Sequence, residues 1–238
     1  MKQNDNLEIT GLQAFYGKSQ VLRDISLHVD GGEKVAILGR NGMGKTTLLK
    51  AMLGIGGVRR SGSVIYRNTE LTKKQPSDIA RLGIGYVPQG WLLFTSLTVE
   101  EHLIMAYRPS KDGNDWTPER VFDTFPEIAQ RRKISGTSLS GGEQQILAIG
   151  RTLVTNPQLI LMDEPSEGIS TKVLDRITEI CDELAKNKKS LLLVEQNLRL
   201  AVTIATRIYI LVNGQIVYQS TAADFKDDKQ KHAQYLGI

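Results

Sequence analysis

The segment that most restricts how this chain can fold is Gly39-Arg40-Asn41-Gly42-Met43-Gly44-Lys45-Thr46. It matches the spacing G-x-x-x-x-G-K-S/T in full. Before it stands Val35-Ala36-Ile37-Leu38, a short apolar run of the kind that forms a buried strand. After it, Leu48, Leu49, Met52 and Leu53 recur on one face of a helix, which Gly54 should end. Strand, glycine-rich turn and helix in that order let the backbone curl so that its N–H groups point inward. The helix N-terminus adds partial positive charge at the same place. Such a cradle suits phosphate oxygens. Lys45 is placed to reach the β- and γ-phosphates of a nucleotide, and the Thr46 hydroxyl to bind Mg²⁺.

A second segment supplies the opposite charge. Leu159-Ile160-Leu161-Met162 is an apolar strand that ends in Asp163-Glu164. Asp163 suits a Mg²⁺ ion, through water, and Glu164 suits the polarisation of an attacking water as general base. Adjacent strand residues point to opposite faces, so both acids can flank a γ-phosphate only if the chain turns at the strand end.

The rest of the chain predicts an α/β protein. Residues 7–38 read as strands, as do 62–66, 84–87 and Leu191 to Val194. Asn213-Gly214 between Ile208–Val212 and Gln215–Tyr218 signals a hairpin. Residues 92–135 read as a mostly helical insertion. Thr98-Val99-Glu100-Glu101 and Ser140-Gly141-Gly142-Glu143 have the form of capping boxes, and Thr117-Pro118-Glu119 that of a helix start. Val173, Leu174, Ile177, Ile180, Cys181 and Leu184 form a helical stripe, which assigns Cys181 to inert packing.

Composition removes several function classes. The 238 residues carry a net charge of +4 with both signs interspersed, so no basic run points to nucleic acid. His28, His102 and His232 are too far apart for metal-ligand spacing, and one cysteine permits no internal disulfide. Apolar runs such as Leu159 to Met162 and Leu191 to Val194 are far short of a spanning helix. The polar start, Met1 to Asn6, has no apolar signal core behind it. If the protein works at a membrane, another chain is expected to cross it.

Together with the two segments above, Leu139-Ser140-Gly141-Gly142-Glu143-Gln144 resembles the signature of the ABC-transporter ATPase family. The finer pattern is similar to the smaller ATPase subunit of importers for branched-chain amino acids, and to that of urea and short-amide importers. Tyr86-Val87-Pro88-Gln89-Gly90, Leu97-Thr98-Val99-Glu100-Glu101, Leu193-Val194-Glu195-Gln196-Asn197 and Tyr235-Leu236-Gly237 carry that likeness. The resemblance implies a P-loop NTPase with a RecA-like core, an N-terminal antiparallel β lobe and an inserted α-helical lobe. The chain would be a single ATPase domain, with 1–89 and 151–238 as core and β lobe and about 90–150 as helical lobe.

The resemblance also implies roles for single residues. Tyr16 matches the aromatic that stacks on adenine, though a strand-end core tyrosine is an alternative. Gly39, Arg40, Asn41, Gly42, Met43, Gly44, Lys45, Thr46 and Thr47 would surround the phosphates of ATP. Gln89 matches the glutamine that senses Mg²⁺ and the γ-phosphate. Ser140, Gly141, Gly142 and Glu143 would meet the nucleotide held by a second ATPase subunit, a related chain or a second copy, so that two ATPs lie between two chains. Permease subunits crossing the membrane would dock near Gln89 to Leu103. There Trp91, Leu92, Leu93 and Phe94 are either part of that contact or local core. A solute-binding protein would act indirectly, and the chain would lie at the cytoplasmic face of the inner membrane.

Two positions depart from the common family pattern. Gln196 stands where many members carry histidine; its carboxamide can donate to a γ-phosphate but cannot carry a proton's charge. Ser170 stands where aspartate is usual, which bears on how two sites communicate. An exporter ATPase and a soluble ABC protein of translation or DNA repair are the rival readings. Ile134-Ser135-Gly136-Thr137-Ser138 lacks the glutamate-rich segment common before the exporter signature, and the chain has neither a second cassette nor a long coiled coil.

Overall fold

A computed structural model of the protein describes residues 6–110, 113 and 115–237. The strands are β1 (Leu7–Tyr16), β2 (Ser19–Val29), β3 (Lys34–Leu38), β4 (Arg59–Tyr66), β5 (Thr69–Glu70), β6 (Ile84–Val87), β7 (Leu159–Asp163), β8 (Ser190–Glu195), β9 (Arg207–Val212) and β10 (Gln215–Thr221). The helices are α1 (Lys45–Leu53), α2 (Pro76–Arg81), α3 (Val99–Ala106), α4 (Pro118–Thr124), α5 (Pro126–Ala129), α6 (Gly141–Leu153), α7 (Thr171–Lys186), α8 (Leu198–Ile204), α9 (Ala222–Asp227) and α10 (Lys229–Lys231).

The strands form two sheets. One is antiparallel, in the order β2-β1-β4-β5; the other runs β10-β9-β3-β8-β7-β6. In the second, β6, β7, β8, β3 and β9 are parallel, and β10 closes one edge antiparallel to β9.

The central strands are buried on both faces, and their period of two divides them between two cores. Val35 and Ile37 of β3 pack with β1, β2 and α1, in one cluster with Leu12, Leu22 and Leu48. Ala36 and Leu38 face the other way, in a cluster with Val99, Phe122, Ile146 and Ile177. The split repeats in β7 and β8: Leu161 and Val194 join the first cluster, Met162 and Leu193 the second. A one-residue slip of any of these strands would exchange its two faces, so the packing sets the register.

Local signals account for most boundaries. Gly54 closes α1 in the left-handed conformation, its N–H bonded to the Lys50 carbonyl. The Arg60 guanidinium, from β4, donates to the Ala51 and Met52 carbonyls in the last turn of α1 and to the Leu71 carbonyl. A cation thus satisfies the negative end of the phosphate-loop helix. The capping boxes at Thr98 and Ser140 are both formed.

The segment 92–135 is less helical than its sequence predicts. Among the described residues it holds α3, α4 and α5. Pro109 stops the continuation of α3. Phe125 adopts φ −124, ψ 80 ahead of Pro126 and separates α4 from α5. Several pieces lie outside the sequence expectations: β5, α2, α8, and the C-terminal α9 and α10. Cys181 is buried in the core and its thiol is pushed up to about 12 by burial, in keeping with inert packing. No helix among the described residues is long and apolar enough to cross a membrane.

Glu70 ties the β4–β5 hairpin together. Its carboxylate accepts from the Ser63 hydroxyl, the Val64 N–H, and the N–H and hydroxyl of Thr72. Burial pushes this carboxyl up, but the four hydrogen bonds together outweigh it and hold the group at about 2, below the ordinary 4.5. The folded value lies below the unfolded one, so the stabilisation is present above the unfolded value and is lost as pH falls through the folded one. Glu70→Gln should lower the unfolding free energy at neutral pH by about 1–2 kcal/mol. In denaturant titrations the gap from the parent should narrow as pH falls from 4.5 toward 2.

Candidate functional site

β3, β8 and β7 are neighbours in the sheet, and their C-terminal ends lie side by side. The parallel register pairs Leu38 with Glu195 and Asp163 with Val194. Each strand end is followed by one of the segments singled out in the sequence. Gly39 continues β3, and its N–H bonds the Glu195 carbonyl at 3.2 Å. A Cβ at Gly39 would stand 2.6 Å from the Leu211 carbonyl oxygen, so only glycine lets the loop leave the strand this close to β9. Gly44, at φ 106, turns the chain into α1. The β9–β10 hairpin tip supports the loop from outside: Gly214 N–H donates to the Met43 carbonyl at 3.0 Å.

Lys45 is 4% exposed, and its ammonium lies inside the loop. It donates to the Gly39 carbonyl at 2.7 Å and the Arg40 carbonyl at 3.1 Å, and pairs with the Glu164 carboxylate at 2.9 Å. Thr46 Oγ1 donates to Asp163 Oδ1 at 3.0 Å, and the Tyr86 hydroxyl to Asp163 Oδ2 at 3.2 Å. Asp163 is fully buried, and burial pushes its carboxyl above the usual range against the pull of these two hydroxyls.

Glu164 has φ 49, left-handed for a non-glycine residue, and its N–H bonds the Val194 carbonyl at 2.9 Å. That twist lets two adjacent acids serve one pocket: Asp163 reaches Thr46 while Glu164 reaches Lys45. Gln89 Nε2 bridges Glu164 at 3.4 Å and Glu167 at 3.3 Å. The cavity between these groups is about 300 Å³, lined by Asn41, Gly42, Gly44, Thr47, Gln89 and Glu164 among others. Inward backbone, a buried ammonium and a helix N-terminus make it an anion site. Thr46, Asp163 and Gln89 offer oxygen atoms to a hard cation, whereas no cluster of three or more His, Cys, Asp or Glu among the described residues could hold a metal.

The remaining predicted residues stand outside this cavity. Tyr16 is 39% exposed at the end of β1, which favours a presented ring over a core tyrosine. Gln196 is exposed directly after β8. Ser140 caps α6: its hydroxyl and N–H both donate to Glu143 Oε2, and Glu143 pairs with Arg131 at 3.2 Å. Gly141 and Gly142 follow at the helix start, with Trp91 packed over Gly141. Ser140 to Glu143 are not among the residues that line the cavity around Lys45. Three residues that contact the site escaped the sequence reading: Tyr86, Glu167 and Glu195. Tyr86 and Glu195 sit in segments marked by their motif likeness, but nothing local shows that their side chains turn inward.

The sequence pattern described as ABC transporter matches residues 22–167, so the chain belongs to the ABC transporter family. It is an ATP-binding subunit of that family and an ATPase, with a P-loop NTPase fold. The high-affinity branched-chain amino acid transport ATP-binding protein BraG of Pseudomonas aeruginosa is 39% identical over 97% of this chain and 99% of its own. A probable branched-chain amino acid transport ATP-binding protein, LivF of Archaeoglobus fulgidus, is 35% identical over 98% and 99%. The lipopolysaccharide export system ATP-binding protein LptB of Escherichia coli K12 is 32% identical over 97% of each chain. Among solved structures, an ATP binding subunit of an ABC transporter superposes with a TM-score of 0.81 at 26% identity, covering 97% of this chain and 96% of that one.

Lys45→Ala removes the ammonium from the loop and leaves Glu164 facing an emptied anion site. Equilibrium binding of a fluorescent ATP analogue should weaken by about 100-fold, on the scale of a lost charge-assisted contact. Unchanged affinity would remove Lys45 from the phosphate-binding group.

Proposed function

We propose that this chain powers the import of branched-chain amino acids by a membrane transporter, as its peripheral ATPase on the cytoplasmic side. The 39% identity with BraG over nearly the full length of both chains carries the solute class. The likeness to LptB, at 32%, favours an exporter as the second reading. In either case the chain acts as one ATPase domain, with residues of about 90–150 as its helical lobe.

In this reading the backbone from Gly39 to Thr47 and the Lys45 ammonium hold the triphosphate, and Tyr16 stacks on adenine. The Mg²⁺ that ATP brings would be held by Thr46, Gln89 and, through water, Asp163. The donor chemistry fits: a buried carboxylate whose oxygens meet only two hydroxyls, beside a third oxygen donor. When bound, the ion would supply charge neutralisation along the phosphates. Glu164 polarises the attacking water, and Gln196 donates to the γ-phosphate. ATP binding and hydrolysis require the Lys45–Glu164 pair to part, because phosphate oxygens compete for the same ammonium.

Ser140, Gly141, Gly142 and Glu143 meet the nucleotide of a second ATPase subunit, since one chain carries one phosphate loop and one signature. A pair of two related chains suits the importer group. Permease subunits dock where α3 and the segment after Gln89 leave apolar side chains uncovered. Leu92 is 67% exposed, Phe94 50%, Ile104 59% and Met105 50%. Leu92, Phe94 and Met105 border a groove of about 1060 Å³ that Arg108, Arg151 and Ile84 also line. An exposed apolar patch at a groove supports a protein partner rather than solvent. The solute-binding protein acts at one remove, and nucleic acid has no part.

Glu164→Gln should still bind ATP, slow phosphate release by about 100-fold or more, and accumulate as an ATP-bound dimer in size-exclusion chromatography. A rate near the parent's would take the base role away from Glu164. The transport reading is checked separately. Affinity-purified chain from its native membranes should bring down permeases and a binding protein that takes up leucine or valine; co-purification with an export system would select the second reading.

A further inference from the structure

One buried charge in the site has no part in the roles above. Glu195 ends β8, is 1% exposed and projects into the protein between the ends of its neighbour strands. Its carboxylate meets three backbone N–H groups and the Ser166 side chain. Oε1 accepts from Ser166 at 3.1 Å, and Oε2 accepts from Gln196 and Asn197, both at 2.9 Å. Its own carbonyl accepts the Gly39 N–H. One residue therefore touches the loops that follow β3, β7 and β8.

A buried carboxylate is costly unless hydrogen bonds satisfy it, and burial does push this one above the usual range. An apolar residue would fill the end of a core strand more cheaply, as Val194 and Leu193 do one and two positions earlier. The charge has a use only in what it binds. The Ser166 amide lies two residues beyond Glu164, whose left-handed backbone persists only where its surroundings hold it. Val194 holds that turn from the front, through the Glu164 N–H, and Glu195 holds it from behind, through Ser166. The other oxygen fixes the backbone of Gln196 and of Asn197, whose side chain caps α8.

We propose that Glu195 is a positioning residue for ATP hydrolysis, its carboxylate locking the turn that aims Glu164 and the loop that presents Gln196 to a common phosphate loop. The proposal rests on the reading of Glu164 as general base. Glutamine cannot replace it in kind. A carboxamide has one acceptor oxygen, so it can accept from the Ser166 N–H or from the Gln196 and Asn197 pair but not from both, and one loop is held less firmly.

In the full-length protein with Mg-ATP, Glu195→Gln should lower kcat by about tenfold or more while the ATP dissociation constant stays within about threefold of the parent. Hydrogen exchange at the Ser166 amide should accelerate by about tenfold. Glu195→Asp, which keeps the charge on a shorter arm, should recover part of the rate. A parent-like kcat in Glu195→Gln overturns the proposal, as does a rate loss with unchanged Ser166 exchange or an equal loss of ATP affinity. Should Glu195→Gln not fold, Glu195→Asp takes its place: an intermediate kcat at parent-like affinity supports the role, and a parent-like kcat removes it. Glu164→Gln measured alongside separates the two claims. A fast Glu164→Gln sinks the base assignment, whereas a slow Glu164→Gln beside an unaffected Glu195→Gln sinks only the positioning role.

Discussion

Three parallel strands end side by side, and the loops leaving them have to share one small volume. Most groups of the site hang from the ends of β3, β7 and β8, and β6 adds Tyr86 and Gln89. Their register is set by two cores at once, because alternate residues of each strand pack on opposite faces. The burial that fixes the register thereby fixes where Gly39, Asp163 and Glu195 emerge. A loop site built on such a base has little freedom to drift.

The electrostatics of the site follow from that crowding. One ammonium and two carboxylates lie close together, and each charge is met by opposite charge or by hydrogen-bonding groups. Lys45 has two carbonyls and Glu164; Asp163 has two hydroxyls. The Lys45–Glu164 pair ties the loop after β3 to the turn after β7. On the proposed function, an entering anion would compete for Lys45 and release Glu164. Backbone donors do much of the remaining work, at Gly39, Glu164 and Ser166.

Much of this was legible in the sequence where the cause is local. The capping boxes at Thr98 and Ser140 need only residues three positions apart. The glycine-rich loop, the apolar strand before it and the Asn213-Gly214 turn are equally short-range. β5, α2, α8 and the C-terminal helices were not legible, since they are short and take their stability from neighbours. The helical insertion was read as more continuous than it is, because Pro109 and Pro126 divide it. Within the site, Tyr86 meets Asp163 across 77 positions and Glu195 meets Ser166 across 29. No local pattern distinguishes those side chains from any other tyrosine or glutamate near a strand end.

The amino-acid sequence alone determined the kind of chemistry available: a phosphate cradle, a lysine and a threonine beside it, two acids at a strand tip, and a capped helix carrying the signature. Those are patterns of close spacing, and short-range backbone physics is enough to produce them. Only the tertiary structure decided the geometry: that Glu164 twists into a left-handed turn to pair with Lys45, that Asp163 is shared by Thr46 and Tyr86, and that Glu195 fastens three loops. Each of these joins segments far apart in the chain, and such contacts exist only once the strands have packed and their register is set.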